Sequence, residues 1–384
     1  MKLFHLSDLH LGKSVHGFSM LEDQEYILKV ILSIADDEAP QAVLISGDVF
    51  DRNVAPTGAL RLLDDFLDGL ARRNIKVFII SGNHDSADRL AFGSRLMNRS
   101  GIHISPVYDG EVSSFTLSDE YGDADIFLLP FLKPVQVRKF FPDAEINNWT
   151  DAVKTVIGTM KIDENKRNII LAHQFVTGAS TCESEEIIVG GFDNVDAEAF
   201  SAFDYVALGH IHSPQRIKRE TLRYSGTPLK YSFSEWKHEK SLVVVELKEK
   251  NSADFIDSVD IKKIPLIPKR DMLKIKGTYL EVTARDFYKD LNTDNYYQIT
   301  LTDEDDQPNA IGKLRVIYPN LMLLNYDNKR TQTESSASGA VDANRYAPIE
   351  LFDMLYEEQN GQQISEKQRD FLDDIISEIW GDNK

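Results

Sequence analysis

The sequence has very little cysteine and no long apolar run. Cys182 is the only cysteine among 384 residues, which excludes a disulfide within the chain and fits a reducing, cytoplasmic environment. No run of about 18 apolar residues is present, so the sequence predicts no membrane-spanning helix. A strand-like apolar pattern begins directly after Met1, and we therefore expect no signal peptide.

Positive charge is also scarce. The chain has 43 Lys and Arg residues against 62 Asp and Glu residues, which gives a formal net charge of −19. Proteins that grip nucleic acid over a broad surface do so with clusters of Lys and Arg, and this composition argues against such a surface. If the substrate is a nucleic acid, bound cations and a partner protein must supply much of the positive field.

Short apolar segments followed by polar side chains recur along the chain. Residues 42–45 predict a buried parallel strand, and Asp48 follows where that strand ends. Helix-spaced apolar residues over 21–35 and 56–70 predict crossover helices, so the fold class is α/β. Open α/β sheets bind ligands at the carboxyl ends of their strands. The polar residues at predicted strand ends are Asp8, His10, Asp48, Asn83, His84, His173, His210 and His212.

These side chains offer carboxylates, imidazoles and one amide, and no thiolate. The set suits hard or borderline divalent ions such as Mn(II), Mg(II), Fe(II) or Zn(II), and it excludes a soft thiolate site. We expect two ions roughly 3.5–4 Å apart with Asp48 bridging them, the arrangement that suits attack on a phosphate. The predicted ligands of the first ion are Asp8, His10, Asp48 and His212, and those of the second are Asp48, Asn83, His173 and His210.

Four residues beside these ligands have predicted roles of their own. We expect that His84 does not bind metal and instead donates a proton to the leaving oxygen or stabilises charge on the phosphate. Asp51 is predicted to orient His84. Asp85 is expected to cap the following helix, which the pattern predicts over residues 87–97. Arg52 is a candidate phosphate contact.

The composition divides the chain into four parts. Residues 1–270 carry the candidate site, and residues 271–328 have the alternation of a small α+β module. Residues 329–346 are rich in small and polar residues, which predicts a flexible linker. Residues 347–384 predict two amphipathic helices that either fold back or dock onto a partner; we favour docking, because folding back needs no long linker. Their apolar residues are Leu351, Phe352, Leu355, Phe371, Leu372, Ile375, Ile376 and Ile379.

Five short motifs resemble those of the calcineurin-like metallophosphoesterases. One such motif would be weak, but five in the right order are specific. The resemblance implies a four-layer sandwich, in which two mixed β-sheets are flanked by helices. The motifs are Asp8-Leu9-His10, Gly47-Asp48-Val49-Phe50-Asp51, Gly82-Asn83-His84-Asp85, His173 and Gly209-His210-Ile211-His212.

Further segments make the chain similar to the SbcD nuclease subunits of bacterial SbcCD complexes, and this resemblance covers nearly the whole chain. It implies a DNA repair, replication and recombination enzyme with two Mn(II) ions, for which Mg(II) and Fe(II) are the alternatives. The implied activities are exonuclease on double-stranded DNA and endonuclease on single strands and hairpins. The segments are Leu11-Gly12-Lys13, Ser86-Ala87-Asp88-Arg89-Leu90, Tyr224-Ser225-Gly226-Thr227-Pro228-Leu229 and Ser232-Phe233-Ser234-Glu235.

The same resemblance implies partners. These are DNA, a second copy of the chain, and an SbcC-type ATPase whose coiled-coil base binds the tail helices, so that the complex is a heterotetramer. Residues 271–328 correspond to a DNA-binding capping domain by position and size. Archaeal and eukaryotic relatives have a histidine where this chain has Asp51, so their second catalytic histidine is not carried over.

Two other interpretations stay open. The same metal site would serve a phosphodiesterase or phosphatase acting on nucleotides, phosphoproteins or lipids, although such an enzyme needs no cap, linker or tail helices. The fold would also serve as a scaffold or DNA-end tether without catalysis, although the complete set of ligands and His84 argues against that role.

Overall fold

The computed structural model describes residues 1–185, 194–250, 258–305 and 307–328, together with separate residues of the tail. These are Ile349, Phe352, Asp353, Tyr356, Ile364, Ser365, Gln368, Arg369, Phe371 and Leu372. The predicted linker over 329–346 lies outside the described residues. The chain forms two compact units. The first comprises Met1–Lys276, Leu280–Thr300 and Asn309–Asn325, and the second comprises Gly277–Tyr279, Leu301–Pro308 and Tyr326–Lys384. The four-part domain division stays a prediction.

The described ranges contain short strands and helices that alternate along the chain. The strands are β1 (Lys2–Leu6), β2 (Ser14–Val15), β3 (Phe18–Ser19), β4 (Ala42–Ser46), β5 (Lys76–Ile80), β6 (Ile102–Ile104), β7 (Ser113–Asp119), β8 (Gly122–Leu128), β9 (Arg167–His173), β10 (Tyr205–Gly209), β11 (Gln215–Ile217), β12 (Arg219–Tyr224), β13 (Ser241–Leu247), β14 (Val259–Pro265), β15 (Met272–Gly277), β16 (Tyr296–Leu301) and β17 (Leu321–Tyr326). The helices are α1 (Leu21–Glu38), α2 (Thr57–Ala71), α3 (Ala87–Leu90), α4 (Ser94–Met97), α5 (Pro134–Arg138), α6 (Trp149–Gly158), α7 (Tyr279–Thr283), α8 (Arg285–Tyr288) and α9 (Ala310–Leu314).

Two six-stranded sheets with parallel centres form most of the first unit. The first sheet has the order β14-β13-β1-β4-β5-β6, in which β1, β4, β5 and β6 are parallel. The second has the order β11-β12-β10-β9-β8-β7, in which β12, β10, β9 and β8 are parallel. Antiparallel strands complete both sheets. Both sheets are therefore mixed, as predicted.

Three apolar clusters hold these layers together. Phe78 of the first sheet and Leu171 of the second are wholly buried in the cluster between the two sheets. Ile31 of α1 and Phe66 of α2 pack in the cluster on the outer face of the first sheet. Val156 of α6 lies in the corresponding cluster on the second sheet. Burial of each such side chain contributes roughly 1.5–3 kcal/mol to the free energy of folding. The layers are helix, sheet, sheet and helix, which confirms the predicted α/β sandwich.

A smaller sheet, ordered β15-β16-β17, follows the sandwich. Within the first unit its strands attach to α1 through a buried carboxylate. Asp23 of α1 accepts hydrogen bonds from the Tyr296 hydroxyl at 2.6 Å and from Arg270 Nη1 at 3.0 Å. Met272 and Tyr296 join the same apolar cluster as α1. This part of the cap is therefore packed against the sandwich.

A buried histidine of β1 predicts acid sensitivity. His5 accepts a hydrogen bond from the Tyr205 hydroxyl at 2.9 Å and donates one to the Leu208 carbonyl at 3.1 Å. Burial lowers the pKa of His5 to about 3. The unfolded chain binds this proton near pH 6.5 and the folded chain does not. The free energy of unfolding should therefore fall by about 2 kcal/mol between pH 7 and pH 5 on account of this group.

Urea denaturation at the two pH values, in the presence of a chelator, measures this contribution. We expect His5→Gln to lose about 2 kcal/mol less than the unsubstituted protein between pH 7 and pH 5. Equal losses in the two proteins would contradict the assignment of this pH dependence to His5.

Candidate metal centre

The predicted site residues meet at the carboxyl ends of five strands. In the first sheet, β1 leads into Asp8 and His10, β4 leads into Asp48, and β5 leads into Asn83 and His84. In the second sheet, β9 ends at His173, and β10 leads into His210 and His212. Asn83 and His84 are half-buried and the others are buried. All eight polar residues that the sequence predicted at strand ends therefore lie at the edge where the parallel strands end.

Unusual backbone conformations aim several of these side chains. Asp8, His10, Asp48 and His210 have φ values of 53°, 44°, 49° and 103°, in the region that L-residues rarely adopt. Main-chain hydrogen bonds at 3.0 Å hold the first two loops together, from the Asp8 amide to the Gly47 carbonyl and from the His10 amide to the Asp48 carbonyl. A Cβ on Gly82 would collide with Asp48 Oδ1. The loops are thus tightly packed around Asp48.

The predicted ligands of the second ion lie within hydrogen-bond distance of one another. His173 Nδ1 donates to the Ser46 carbonyl at 2.8 Å, which directs Nε2 towards Asn83 Oδ1 at 2.9 Å and Asp48 Oδ2 at 3.3 Å. His210 Nδ1 is 3.0 Å from the same Asn83 oxygen. Burial opposes protonation of His173, yet Asp48 raises the pKa of His173 to about 9. The raised pKa shows that the cluster stabilises positive charge. Its imidazole nitrogens and its amide and carboxylate oxygens are ligand atoms that suit a divalent ion.

The predicted ligands of the first ion form a second cluster. Ligand atoms of Asp8, His10 and His212 lie within 4.8 Å of one another. The Nε2 atoms of His10 and His212 are only 3.1 Å apart. Burial lowers the pKa of His10 and raises that of Asp8 to about 6. A cation between these buried groups would offset the cost of placing a carboxylate there.

Asp48 lies between the two clusters. Its Oδ2 atom is 3.3 Å from His173 Nε2 and 3.9 Å from His10 Nε2. Burial alone would raise the pKa of Asp48, but the neighbouring imidazoles, His173 foremost, hold it well below its usual range. An ionised carboxylate reached by ligands of both sets is suited to bridging two ions.

His84 stands beside this carboxylate. Its amide donates to Asp48 Oδ1 at 2.9 Å, and its Nε2 atom is 3.9 Å from Asp48 Oδ2. Its Nδ1 atom donates to the main-chain carbonyl of Asp51 at 3.1 Å. The Asp51 carboxylate accepts a hydrogen bond from Lys13 Nζ at 2.7 Å. Asp51 therefore does contact His84, and the contact uses the main chain. Arg52 Nε is 3.6 Å from the Asp51 carboxylate, and its side chain is exposed.

The predicted role of Asp85 was wrong. Its carboxylate accepts hydrogen bonds from the amides of Val49, Phe50 and Gly82 at 2.9–3.1 Å, and α3 has no side-chain cap. Asp85 therefore joins the loop after β4 to the loop after β5. The helix predicted over 87–97 is instead α3 and α4, separated where Gly93 adopts a φ of +75°.

Several residues that support the ligands had no assigned role in the sequence. Gln24 donates to the His10 carbonyl at 2.8 Å, and the Tyr231 hydroxyl donates to the Leu9 carbonyl at 2.6 Å. The Ser7 hydroxyl donates to the Asp8 carboxylate and contacts Ser225. Ser225 lies in one of the family-like segments, and that membership was the one indication in the sequence that it belongs to the site. Gln24 lies in an ordinary helical pattern, which does not indicate that it supports a ligand.

Comparisons with known proteins show the family of the chain. The family model described as calcineurin-like phosphoesterase matches residues 1–214, more than half of the chain. Two proteins that carry the name of the SbcD component of the SbcCD nuclease are similar over 99% of this chain. That of Staphylococcus epidermidis is 30% identical over 99% of its own length, and that of Staphylococcus saprophyticus is 31% identical over 98%. The chain belongs to the SbcD family.

This SbcD-family chain is a metal-dependent phosphodiester hydrolase, and divalent metals accompany its phosphoesterase domain. Residues 268–360 match a second model, described as type 5 capsule protein repressor C-terminal domain. The matched range spans the predicted cap, the predicted linker and the first part of the predicted tail.

Two solved structures are similar at 12% identity. A dimetal phosphatase from Danio rerio covers 70% of the SbcD-family chain and 96% of its own, with a TM-score of 0.40. A Thermus thermophilus protein covers 69% and 99%, with a TM-score of 0.37. Among the described residues, no helix is long and apolar enough to cross a membrane.

Proposed function

We propose that the chain is a Mn(II)-dependent DNA nuclease that uses two metal ions. It acts as an exonuclease on double-stranded DNA and as an endonuclease on single strands and hairpins. The observation that carries this proposal is the convergence of both ligand clusters on Asp48, whose Oδ2 atom is 3.3 Å from His173 and 3.9 Å from His10. The SbcD relatives, which match over 99% of the chain, support DNA as the substrate.

The residues divide the work between binding ions and handling the phosphate. Asp8, His10, Asp48 and His212 would hold one ion, and Asp48, Asn83, His173 and His210 the other. The ions supply Lewis acidity and an activated water for in-line attack. The Asp51 carbonyl accepts from His84 Nδ1, so a proton passed to the substrate would come from Nε2 of this half-buried ring. Protonated there, His84 donates a proton to the leaving oxygen or stabilises charge on the phosphate. Arg52 is close enough to Asp51, and exposed enough, to approach a bound strand.

Cleavage of end-labelled linear duplex DNA by the purified chain tests this function. Reactions contain Mn(II) or a chelator, and each is run with and without the SbcC-type ATPase and ATP. We expect metal-dependent cleavage that extends further along duplex ends when ATPase and ATP are present. Protein that holds two metals and cleaves a small chromogenic diester but no DNA would instead indicate a phosphodiesterase with a small substrate.

The partner proteins would supply the positively charged surface that this chain, with its net charge of −19, lacks. We place the chain in a cytoplasmic heterotetramer of two copies and two coiled-coil ATPase subunits. Four large apolar side chains of α2, α4 and the segments before α2 and α4 are exposed, and we assign them to the contact between the copies. They are Val54, Leu60, Phe92 and Leu96.

A charge placed in this patch should separate the two copies. The Phe92 side chain is 83% exposed, so Phe92→Glu should spare the fold while adding a buried charge to the dimer contact. We expect sedimentation to show a dimer for the unsubstituted chain and a monomer for the variant. Val316→Glu is the control, because Val316 is 85% exposed on the cap. A Phe92→Glu protein that stays dimeric would exclude this patch.

The tail segments carry apolar side chains suited to the ATPase. Phe352, Phe371 and Leu372 are described as helical, whereas Leu351, Leu355, Ile375, Ile376 and Ile379 lie outside the described residues. Arg369 Nη2 is 3.0 Å from Asp353, so the two segments contact each other. Phe371 is nevertheless 65% exposed. Such a side chain is available to bind a coiled coil.

Loss of this apolar side chain should weaken the complex. We expect Phe371→Asp to lower affinity for the ATPase subunit at least about tenfold, since a buried aromatic anchor commonly contributes about 2 kcal/mol or more. Calorimetry with the purified ATPase measures the affinity, and Phe287→Asp on the cap is the control. Unchanged affinity would contradict the docking of this tail segment.

A further inference from the structure

His212 is held by side chains at every polar group. Its amide donates to Glu185 Oε1 at 2.8 Å, and its carbonyl accepts from Lys240 Nζ at 2.8 Å. Its Nδ1 atom is 2.8 Å from Ser184 Oγ. Its Nε2 atom is turned towards His10 at 3.1 Å. One side of the imidazole thus faces the metal centre and the other faces a hydrogen-bonded network.

The network determines which nitrogen carries the proton. The Ser184 hydroxyl donates to Glu235 Oε1 at 2.7 Å, and an ionised carboxylate can only accept. Having given its hydrogen to Glu235, the Ser184 oxygen accepts from His212 Nδ1. The imidazole is therefore the Nδ1–H tautomer, with an unprotonated Nε2 facing the centre.

Glu235 is itself held by a buried cation. Its other oxygen pairs with Lys240 Nζ, and both side chains are at most 4% exposed. Lys240 also donates to Thr227 Oγ1 at 2.6 Å. A buried ion pair seldom adds net stability compared with apolar side chains of similar size, and its clearest use is to impose one geometry. Here Glu235 reaches the ring of His212 through Ser184, and Lys240 reaches its main chain.

The contact that fixes the tautomer of His173 is of a different kind. His173 Nδ1 donates to the main-chain carbonyl of Ser46, which no side-chain substitution removes. The orientation of His212 instead depends on replaceable side chains. A substitution outside the ligand set can therefore change the orientation of the His212 ring.

We propose that Glu235, acting through Ser184, and Lys240, acting through the His212 carbonyl, are positioning residues that present His212 Nε2 to the first metal ion. This inference rests on the proposed metal centre and extends it to residues outside the proposed ligand set. A histidine ligand whose second nitrogen donates to a supported acceptor binds metal more tightly, and loss of such support commonly costs about 10- to 100-fold in metal affinity.

The test uses the full chain in three variant forms. Ser184→Ala removes the hydroxyl that connects Glu235 to His212 Nδ1, with little change in side-chain volume. Glu235→Gln combined with Lys240→Met removes both charges together, so that neither is left buried alone. Ser105→Ala is the matched control, because the Ser105 hydroxyl is buried without a hydrogen-bond partner among the described residues. Thermal unfolding of each protein, free of metal, shows whether it is folded.

Two measurements do not depend on DNA cleavage. In metal-free protein labelled with nitrogen-15 in histidine, NMR reports the His212 tautomer. Calorimetry with Mn(II) alone gives the affinity of each site. We expect Ser184→Ala and the double variant to lose the defined Nδ1–H signal and to bind the first ion about 10- to 100-fold more weakly. The second ion and the Ser105→Ala protein should be unaffected.

An unchanged tautomer signal or an unchanged Mn(II) affinity in folded Ser184→Ala and in the folded double variant would overturn the inference. That result is distinct from failure of the proposed function, which would appear as an unsubstituted protein that binds two ions and does not cleave DNA.

Discussion

Asp48→Asn should abolish metal-dependent cleavage of DNA, with turnover falling on the order of 10³-fold or more. The substitution removes the carboxylate that lies between the two ligand clusters, with Oδ2 at 3.3 Å from His173 Nε2 and 3.9 Å from His10 Nε2. Ions bound at such a centre supply several kcal/mol of transition-state stabilisation, and each 1.36 kcal/mol corresponds to about a factor of ten. The Asn oxygen still accepts the hydrogen bond that the His84 amide donates to Asp48, so we expect the fold to persist.

Metal analysis and DNA cleavage, run side by side, check this result. We expect fewer than two Mn(II) ions per chain in Asp48→Asn. Asp36→Asn is the matched control, because it makes the same chemical change at an exposed carboxylate that pairs with Arg73 on the surface. A variant that still binds two ions and cleaves at the normal rate would show that Asp48 does not bridge the centre.

His84→Ala should lower turnover by roughly 10²–10⁴-fold, the usual contribution of a positioned proton donor. Its imidazole lies beside Asp48 and is oriented by the Asp51 carbonyl. Since we assign it to the phosphate rather than to a metal, both ions should stay bound. The loss should therefore appear in kcat, with metal content near two.

Single-turnover cleavage together with metal analysis distinguishes these roles. His103→Ala, at the edge of the first sheet on β6, is the control and should change turnover less than about twofold. Loss of an ion in His84→Ala would reassign His84 as a ligand. Normal turnover in that variant would show that another group donates the proton to the leaving oxygen.

The position of the site was predictable from the sequence because one rule covers it. Polar residues that follow buried parallel strands must meet at one edge, so Asp8, Asp48 and His173 are neighbours although they are far apart along the chain. The rule needs only the identity of the strands and their parallel direction, and both follow from the apolar runs and the crossover helices between them. The division between two sheets was less accessible, since strand order within a sheet depends on packing.

The failed and missing assignments share a cause. Asp85 binds the amides of Val49 and Phe50, which lie much earlier in the chain, and no local pattern records a partner that distant. Glu235 ends one of the family-like segments, but nothing in that segment shows that its carboxylate is buried against Lys240. The interruption between α3 and α4 depends on the conformation of Gly93, which a helical apolar pattern conceals. Local patterns predict elements, and contacts between loops arise only once the chain is folded.

Four of the candidate ligands, Asp8, His10, Asp48 and His210, occupy backbone conformations with positive φ. Aspartate and histidine tolerate this region better than most residues, but glycine occupies it without strain. Glycine at position 48 would relax the loop and would also remove the carboxylate that we propose as the bridging ligand. Glycine would relieve strain on the order of 1 kcal/mol at such a position, and its greater freedom in the unfolded chain would offset part of that gain. The candidate metal centre therefore carries a cost in backbone strain, because its donor side chains stand at positions that glycine would occupy without strain.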